Sequence, residues 1–255
     1  MSHQNHWNAR YPKIELRSFD SNYLRKTHPL MALWWNMAMP GAGHLMIGKI
    51  DKGFFLFIWE FLFNTQANIN TAIVYSCTGR FELAKATLDT RWFFLYIGVY
   101  VFTFWDAYRL ATEMNNFARL SQKDHIPLAH FKLSVIDINY LLKVNKWIPV
   151  LWSAVVPGLG HIYLRHYMVG GILFSCFVMT TYQSRLLDGI YFTVLGDFGQ
   201  ATHLLDMEWL LYMPSLYCFS IYDSHYRAIE LNKMYEAEQA HFLKNTYTSS
   251  QLHLF

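Results

Sequence analysis

The sequence predicts an all-α, polytopic helical membrane protein built from two tandem homologous repeats, each a short re-entrant or interfacial helix plus two transmembrane helices. Three observations predict it. Hydrophobic residues make up 53% of the chain and charged residues only 15%, against about a quarter charged in a typical soluble domain. The apolar residues fall in blocks such as 92–105 (WFFLYIGVYVFTFW) and 168–182, with Lys and Arg gathered between them, the segregation that lipid and water impose. Residue n also matches residue n+117 along most of the chain without a gap.

The repeat is defined by residues that chance does not place in register. Pro40-Gly41-Ala42-Gly43-His44 returns as Pro157-Gly158-Leu159-Gly160-His161. Trp35 pairs with Trp152, Gly53 with Gly170, Phe57 with Phe174, Trp92 with Trp209, Phe102 with Phe219, Asp106 with Asp223 and Asn115 with Asn232. The chain therefore divides into an N-terminal tail (1–28), a first membrane repeat (29–115), a polar basic linker (116–145), a second membrane repeat (146–232) and a C-terminal tail (233–255).

Each repeat holds three apolar segments. The first, 29–39 or 147–156, is short and ends at the Pro-Gly turn; the second runs over about 53–76 or 168–184, the third over about 92–110 or 209–226. At about 1.5 Å per residue, some twenty residues cross a bilayer, so the second and third are long enough and the first is not. Cationic residues decide between four and six spans, because Lys and Arg collect on the cytoplasmic side. Four spans put 17 of the 21 Lys and Arg inside and 4 outside, whereas six spans divide them 12 to 9. Four spans, parallel repeats and both termini cytoplasmic are expected. The first residues contain no apolar core ahead of a small-residue cleavage site, so no removable signal peptide is expected.

In the turn motif, proline stops a helix and the glycines supply backbone angles that other residues avoid. Pro40, Gly41, Gly43 and His44, with Pro157, Gly158, Gly160 and His161, are the turn-motif residues, and the histidines are expected to make structural hydrogen bonds. Asp106 and Asp223 close the third segment. They lie about 21 Å from Trp92 and Trp209, level with the turns, and are within reach either of the motif histidine or of Arg109 and Arg227 one turn on.

Glu60 stands inside the apolar run GFFLFIWEFLFN, about 10 Å deep, where an ionisable group is costly and a functional candidate. Helical spacing continues it through Asn64, Asn68 and Thr71, and the second repeat carries Phe177, Thr181, Arg185 and Asp188 instead. The stripe serves either a specific function or packing against a polar group such as Arg185. Cys77, Cys176 and Cys218 form no CxxC or disulfide pattern and read as small buried hydrophobes. Trp34, Trp35, Trp92, Trp147 and Trp209 read as an interfacial aromatic belt. Twelve histidines without HxxxH or HExxH, no phosphate-binding glycine loop and no nucleophile elbow leave no catalytic, cofactor-binding or metal site to expect. A net charge of +3 without a basic stripe gives no case for nucleic acid.

PGAGHLMIGKIDKG and PGLGHIYLRHYMVGG, each followed by an aromatic-Asp dipeptide (Trp105-Asp106, Tyr222-Asp223), resemble the TM-two domain, a membrane module with two transmembrane helices. The resemblance covers both repeats and implies a bacterial plasma-membrane protein; it carries no catalytic residues. The second repeat departs from it with Arg165, where Gly48 stands in the first. The expected role is non-enzymatic, accessory or scaffolding, with lipid, a partner membrane protein or self-association as partners. A transporter or channel component using Glu60, Asn64 and Asn68 is the alternative, and an intramembrane metal enzyme using His44, Asp106, His161 and Asp223 the third reading.

Overall fold

The two polar stretches expected to be tail and linker each contain the same small hairpin. β1 (Ile14–Leu16) pairs antiparallel with β2 (Ser21–Tyr23), Ile14 opposite Tyr23; β3 (Phe131–Leu133) pairs likewise with β4 (Ile138–Tyr140), Phe131 opposite Tyr140. The offset is again 117, and Leu16/Leu133, Asn22/Asn139 and Tyr23/Tyr140 are identical. The repeat thus begins near residue 14, not 29, and the "linker" is the start of the second unit. The computed structural model describes residues 14–16, 21–23, 26–123, 131–133, 138–140 and 142–248. Most of the expected N-terminal tail, the middle of the linker and the last residues of the C-terminal tail lie outside these.

The body is helical. The first unit continues through α1 (Pro29–Ala38), α2 (Ala42–Ile47), α3 (Ile50–Ala67), α4 (Ile69–Cys77), α5 (Phe81–Thr87) and α6 (Thr90–Lys123). The second follows with α7 (Trp147–Val155), α8 (Leu159–Tyr163), α9 (Tyr167–Gln183), α10 (Leu186–Val194), α11 (Phe198–Leu204), α12 (Met207–Leu210) and α13 (Tyr212–Thr248). From α2 to α5, each helix start recurs 117 residues on, and α12 with α13 replaces α6.

Left-handed residues recur in the same register: Gly41/Gly158, Gly79/Gly196, Asn68/Arg185 and Gly48/Arg165. Asn68 (φ 55°) breaks the expected 53–76 segment into α3 and α4, and Arg185 (φ 53°), just past the expected 168–184 segment, separates α9 from α10. Asn tolerates this conformation because its short amide bonds locally, which hides the break inside an apolar run. Among the described residues six helices in the first unit and seven in the second replace the expected three, and no helix is long and apolar enough to cross a membrane. The expected C-terminal tail is, up to Thr248, a continuation of α13.

A side-chain clamp closes each unit. Asn115 on α6 accepts from the Thr27 amide at 2.8 Å and donates to the Thr27 carbonyl at 2.7 Å, the double bond pattern of a strand pair made by a side chain. Asn232 on α13 does the same to Val144, with both contacts at 2.8 Å. Start and end of each unit therefore lie side by side.

The largest core lies between the units. Trp35, Leu45, Phe57 and Phe61 of the first pack against Leu173, Tyr212, Leu216 and Phe219 of the second. Trp35 meets Phe219 edge-on with ring centroids 5.4 Å apart, and Phe61 meets Tyr212 at 4.6 Å. Arg227 donates across the boundary to the Leu45 carbonyl at 2.9 Å, and the Tyr226 hydroxyl to that of Lys26. The expected aromatic belt is corrected accordingly: Trp34, Trp92 and Trp147 are exposed, but Trp35 is buried and Trp209 packs against this core. Of the cysteines only Cys176 is buried; Cys77 and Cys218 are exposed.

Candidate functional site

The Pro-Gly turn brings α2 back against α1 with no room for a side chain. A Cβ on Gly43 would lie 2.1 Å from the Ala32 carbonyl oxygen, and one on Gly160 2.1 Å from that of Pro149. Gly41 (φ 97°) adds a left-handed bend. Such close approach leaves the amides of the turn needing partners away from water.

In the first unit Asn36 supplies them. Its Oδ1 accepts from the Gly41 and Gly43 amides at 3.1 and 2.9 Å, which fixes the orientation of its own amide. Nδ2 therefore donates, to the Thr103 carbonyl at 2.8 Å and to His44 Nδ1 at 3.1 Å. With Nδ1 accepting, the ring proton sits on Nε2 and points at Asp106 Oδ2, 3.1 Å away. Asp106 also receives Lys52 at 2.9 Å and Arg109 at 2.7 Å. The two expectations for Asp106, histidine or following arginine, are both met by one carboxylate. Asn36, His44, Thr103 and Asp106 are all buried.

The second unit builds the same core differently. His161 Nε2 lies 3.1 Å from Asp223 Oδ2, which also accepts from Arg227 Nε at 2.6 Å. Ser153 replaces Asn36 and bonds Ser224 at 3.1 Å, while Ser220, in place of Thr103, accepts from the Gly158 amide at 3.0 Å. Ser220 thus takes the turn amide that Asn36 holds in the first unit. No family model, curated protein or solved structure matches the chain. Among the described residues no group of three or more His, Cys, Asp or Glu could hold a metal ion. Both nitrogens of His44 already have protein partners.

Glu60 is buried, and its partners differ from those expected. One carboxylate oxygen accepts from Asn64 at 2.7 Å, the other from the Tyr96 hydroxyl at 2.8 Å. Asn64 continues to Asn70 at 3.3 Å, and Asn70 donates to the Glu208 carbonyl at 2.9 Å. Glu208 then accepts from the Thr71 amide at 2.7 Å. The chain of bonds runs from the first unit into the second. Asn68 is not part of it: as the left-handed residue it sends its amide toward the Thr87 carbonyl at 3.5 Å. The helical stripe Glu60–Asn64–Asn68–Thr71 is thus corrected to Glu60–Asn64–Asn70–Glu208, and Arg185 lines a separate cavity in the second unit.

Sequence reasoning missed Asn36, Tyr96, Asn70 and Glu208. Asn36 left a signal, a carboxamide in the apolar run MALWWNMAMP that a serine replaces in the repeat. Tyr96 left none, since tyrosine in an aromatic segment reads as lipid-facing.

Proposed function

We propose that this chain is a non-enzymatic, multi-pass resident of the plasma membrane, made of two TM-two-like units, and acts as an accessory or scaffolding module. One observation carries the reading: polarity is inverted. Asn36, His44, Glu60, Asn64, Asp106 and Asp223 are buried, whereas Trp34, Phe55, Phe94, Leu151, Leu187 and Val194 are exposed. A soluble protein does the reverse, and an apolar exterior of this kind needs lipid or a partner to cover it. Polar groups inside a bilayer turn toward the protein interior and pair there, as these do.

Lipid on this reading meets the assembled outer surface and not a set of separately spanning helices. Non-helical backbone at the Pro-Gly turns and at Asn68 and Arg185 is tolerated where protein surrounds it. The clamps Thr27–Asn115 and Val144–Asn232 support an even number of crossings per unit, because they hold each unit's start and end together. That agrees with parallel repeats and both termini on the cation-rich, cytoplasmic side. The scaffolding role is supported by the use of the buried polar groups: Glu60 and His44, the groups that a transporter or an enzyme would employ, are engaged with protein partners.

Fractionation tests the proposal. Full-length protein should stay with membranes through alkaline carbonate washing and leave them only in detergent. Recovery in the aqueous supernatant as a monodisperse species would overturn it. Cysteines placed near residue 130 should be reached by impermeant reagent only from the cytoplasmic face.

A further inference from the structure

The contact between the two units is head to tail, and it leaves one half of itself unused at each end of the chain. The first unit offers a face of α1, α2 and α3; the second receives it with a face of α9, α12 and α13, of which the α9 residues Leu173 and Cys176 have buried counterparts in the first unit, Leu56 and Trp59. Trp35, Leu45, Phe57 and Phe61 are at most 8% exposed on the first face, while their equivalents in the second unit, Trp152, Ile162, Phe174 and Val178, are 36–50% exposed. Tyr212, Leu216 and Phe219 are at most 5% exposed on the second face. Their equivalents in the first unit behave oppositely: Leu95 and Phe102 are 60% and 53% exposed, and Val99 is half-buried. An interface that uses different patches on its two sides does not close on itself, and propagates into a ring or an open array.

A polar contact repeats the same logic. Glu208 fills the space at the start of α4 and accepts from the Asn70 and Thr71 amides. The equivalent space at the start of α10 is an open cavity of about 430 Å³, lined by Thr181, Arg185, Leu187 and Asp188 among others. The Thr181 hydroxyl there is buried without a hydrogen-bond partner among the described residues. The residue equivalent to Glu208 is Arg91, exposed on the first unit. It carries the charge opposite to Asp188 and like that of Arg185, and differs from Glu208 in having no acceptor for the amides there.

We propose that copies of this chain join head to tail, the exposed α6 face of one (Leu95, Phe102, Trp105) docking on the exposed α7–α9 face of the next (Trp152, Phe174, Val178), with Arg91 entering the cavity beside Asp188. The contact reproduces between chains the one that already joins the two units within a chain. It rests on the membrane reading for its setting, and it names the partner that reading leaves open, a second copy of this protein. Lipid could cover these faces too, since apolar side chains gain little by leaving it, and this is the competing outcome.

The test is disulfide cross-linking in native membranes, in a background carrying Cys77→Ser and Cys218→Ser. Phe102→Cys and Trp152→Cys mark positions equivalent to Phe219 and Trp35, whose rings touch within the chain. Both side chains are exposed, so neither substitution threatens folding. Co-expressed single variants should give a covalent dimer that neither gives alone. Replacing the first by Ile97→Cys, 37% exposed, on the far side of α6 from Leu95 and equivalent to the exposed Pro214, should lower the yield at least tenfold. No dimer, or equal yield from Ile97→Cys, overturns the proposal. Carbonate extraction on the same samples reports membrane residence separately: membrane-retained protein without the dimer refutes only the assembly, and a dimer in the aqueous fraction refutes only the membrane setting.

Discussion

Replacing Asn36 by alanine should destabilise the protein more than most single core truncations, and the structure says why. The amide accepts from two turn amides and donates to a carbonyl and to a histidine nitrogen, all buried. Alanine leaves the Gly41 and Gly43 amides and His44 Nδ1 without partners, each at a cost of about 1–3 kcal/mol. Relaxation and entry of a water into the vacated space take back part of this, so about 3 kcal/mol, the low end of the sum, is expected. For a chain of this size that is a fall of about 6–12 °C in melting temperature. Differential scanning fluorimetry of detergent-purified protein reads it directly. The second unit also supplies a rescue: Asn36→Ser with Thr103→Ser and Ala107→Ser installs the hydroxyls found at Ser153, Ser220 and Ser224, and should recover at least half of the loss. An Asn36→Ala protein melting within 2 °C of wild type would refute the claim that this amide holds the turn.

Four further outcomes follow from the same geometry. Arg165→Gly should raise the melting temperature by about 2–4 °C, since Arg165 sits at φ 63° where a side chain costs about 1 kcal/mol and its counterpart is Gly48. Gly43→Ala should abolish folded protein in size-exclusion profiles, because its Cβ would lie 2.1 Å from backbone oxygen, whereas Gly98→Ala, with open space around it in mid-helix, should be neutral or slightly stabilising. Asp106→Ala should cost about 3 kcal/mol and Lys52→Ala under about 1, by thermal melting, as the carboxylate is buried among three donors while the lysine is half-exposed. Glu60→Gln should still insert in membranes by fractionation, while Glu60→Leu, which strands the Asn64 amide and the Tyr96 hydroxyl, should lose about 2–4 kcal/mol in the same melting assay.

The repeat and the turn were legible in the sequence because Gly, Pro, His and Asp in register are chemically specific. Depth alone, fourteen residues of helix at a known rise, brought Asp106 within reach of His44 but left Arg109 as an equal alternative. Helix breaks were not legible, because Asn68 and Arg185 interrupt apolar runs without the glycine or proline that usually marks a stop. The hairpins were overlooked for a different reason: charge and polarity around 14–23 and 131–140 look like tail and linker, and only the identities Leu16/Leu133, Asn22/Asn139 and Tyr23/Tyr140 reveal a shared fold. Which aromatic stays exposed and which faces the other unit was also invisible, since Trp35 and Trp152 are the same residue in the same motif. Their different fates are set by what the neighbouring unit places against them.

The Asn115 and Asn232 clamps bear on how the chain could be rewired. Because each ties the beginning of its unit to the end, a unit could be opened at an outward loop such as Thr78–Arg80 and its former ends sealed by a short bridge, giving a circular permutant with the same helix neighbours. The order in which the ribosome delivers these helices is then a matter of history, and the closed circuit they form is the heritable object.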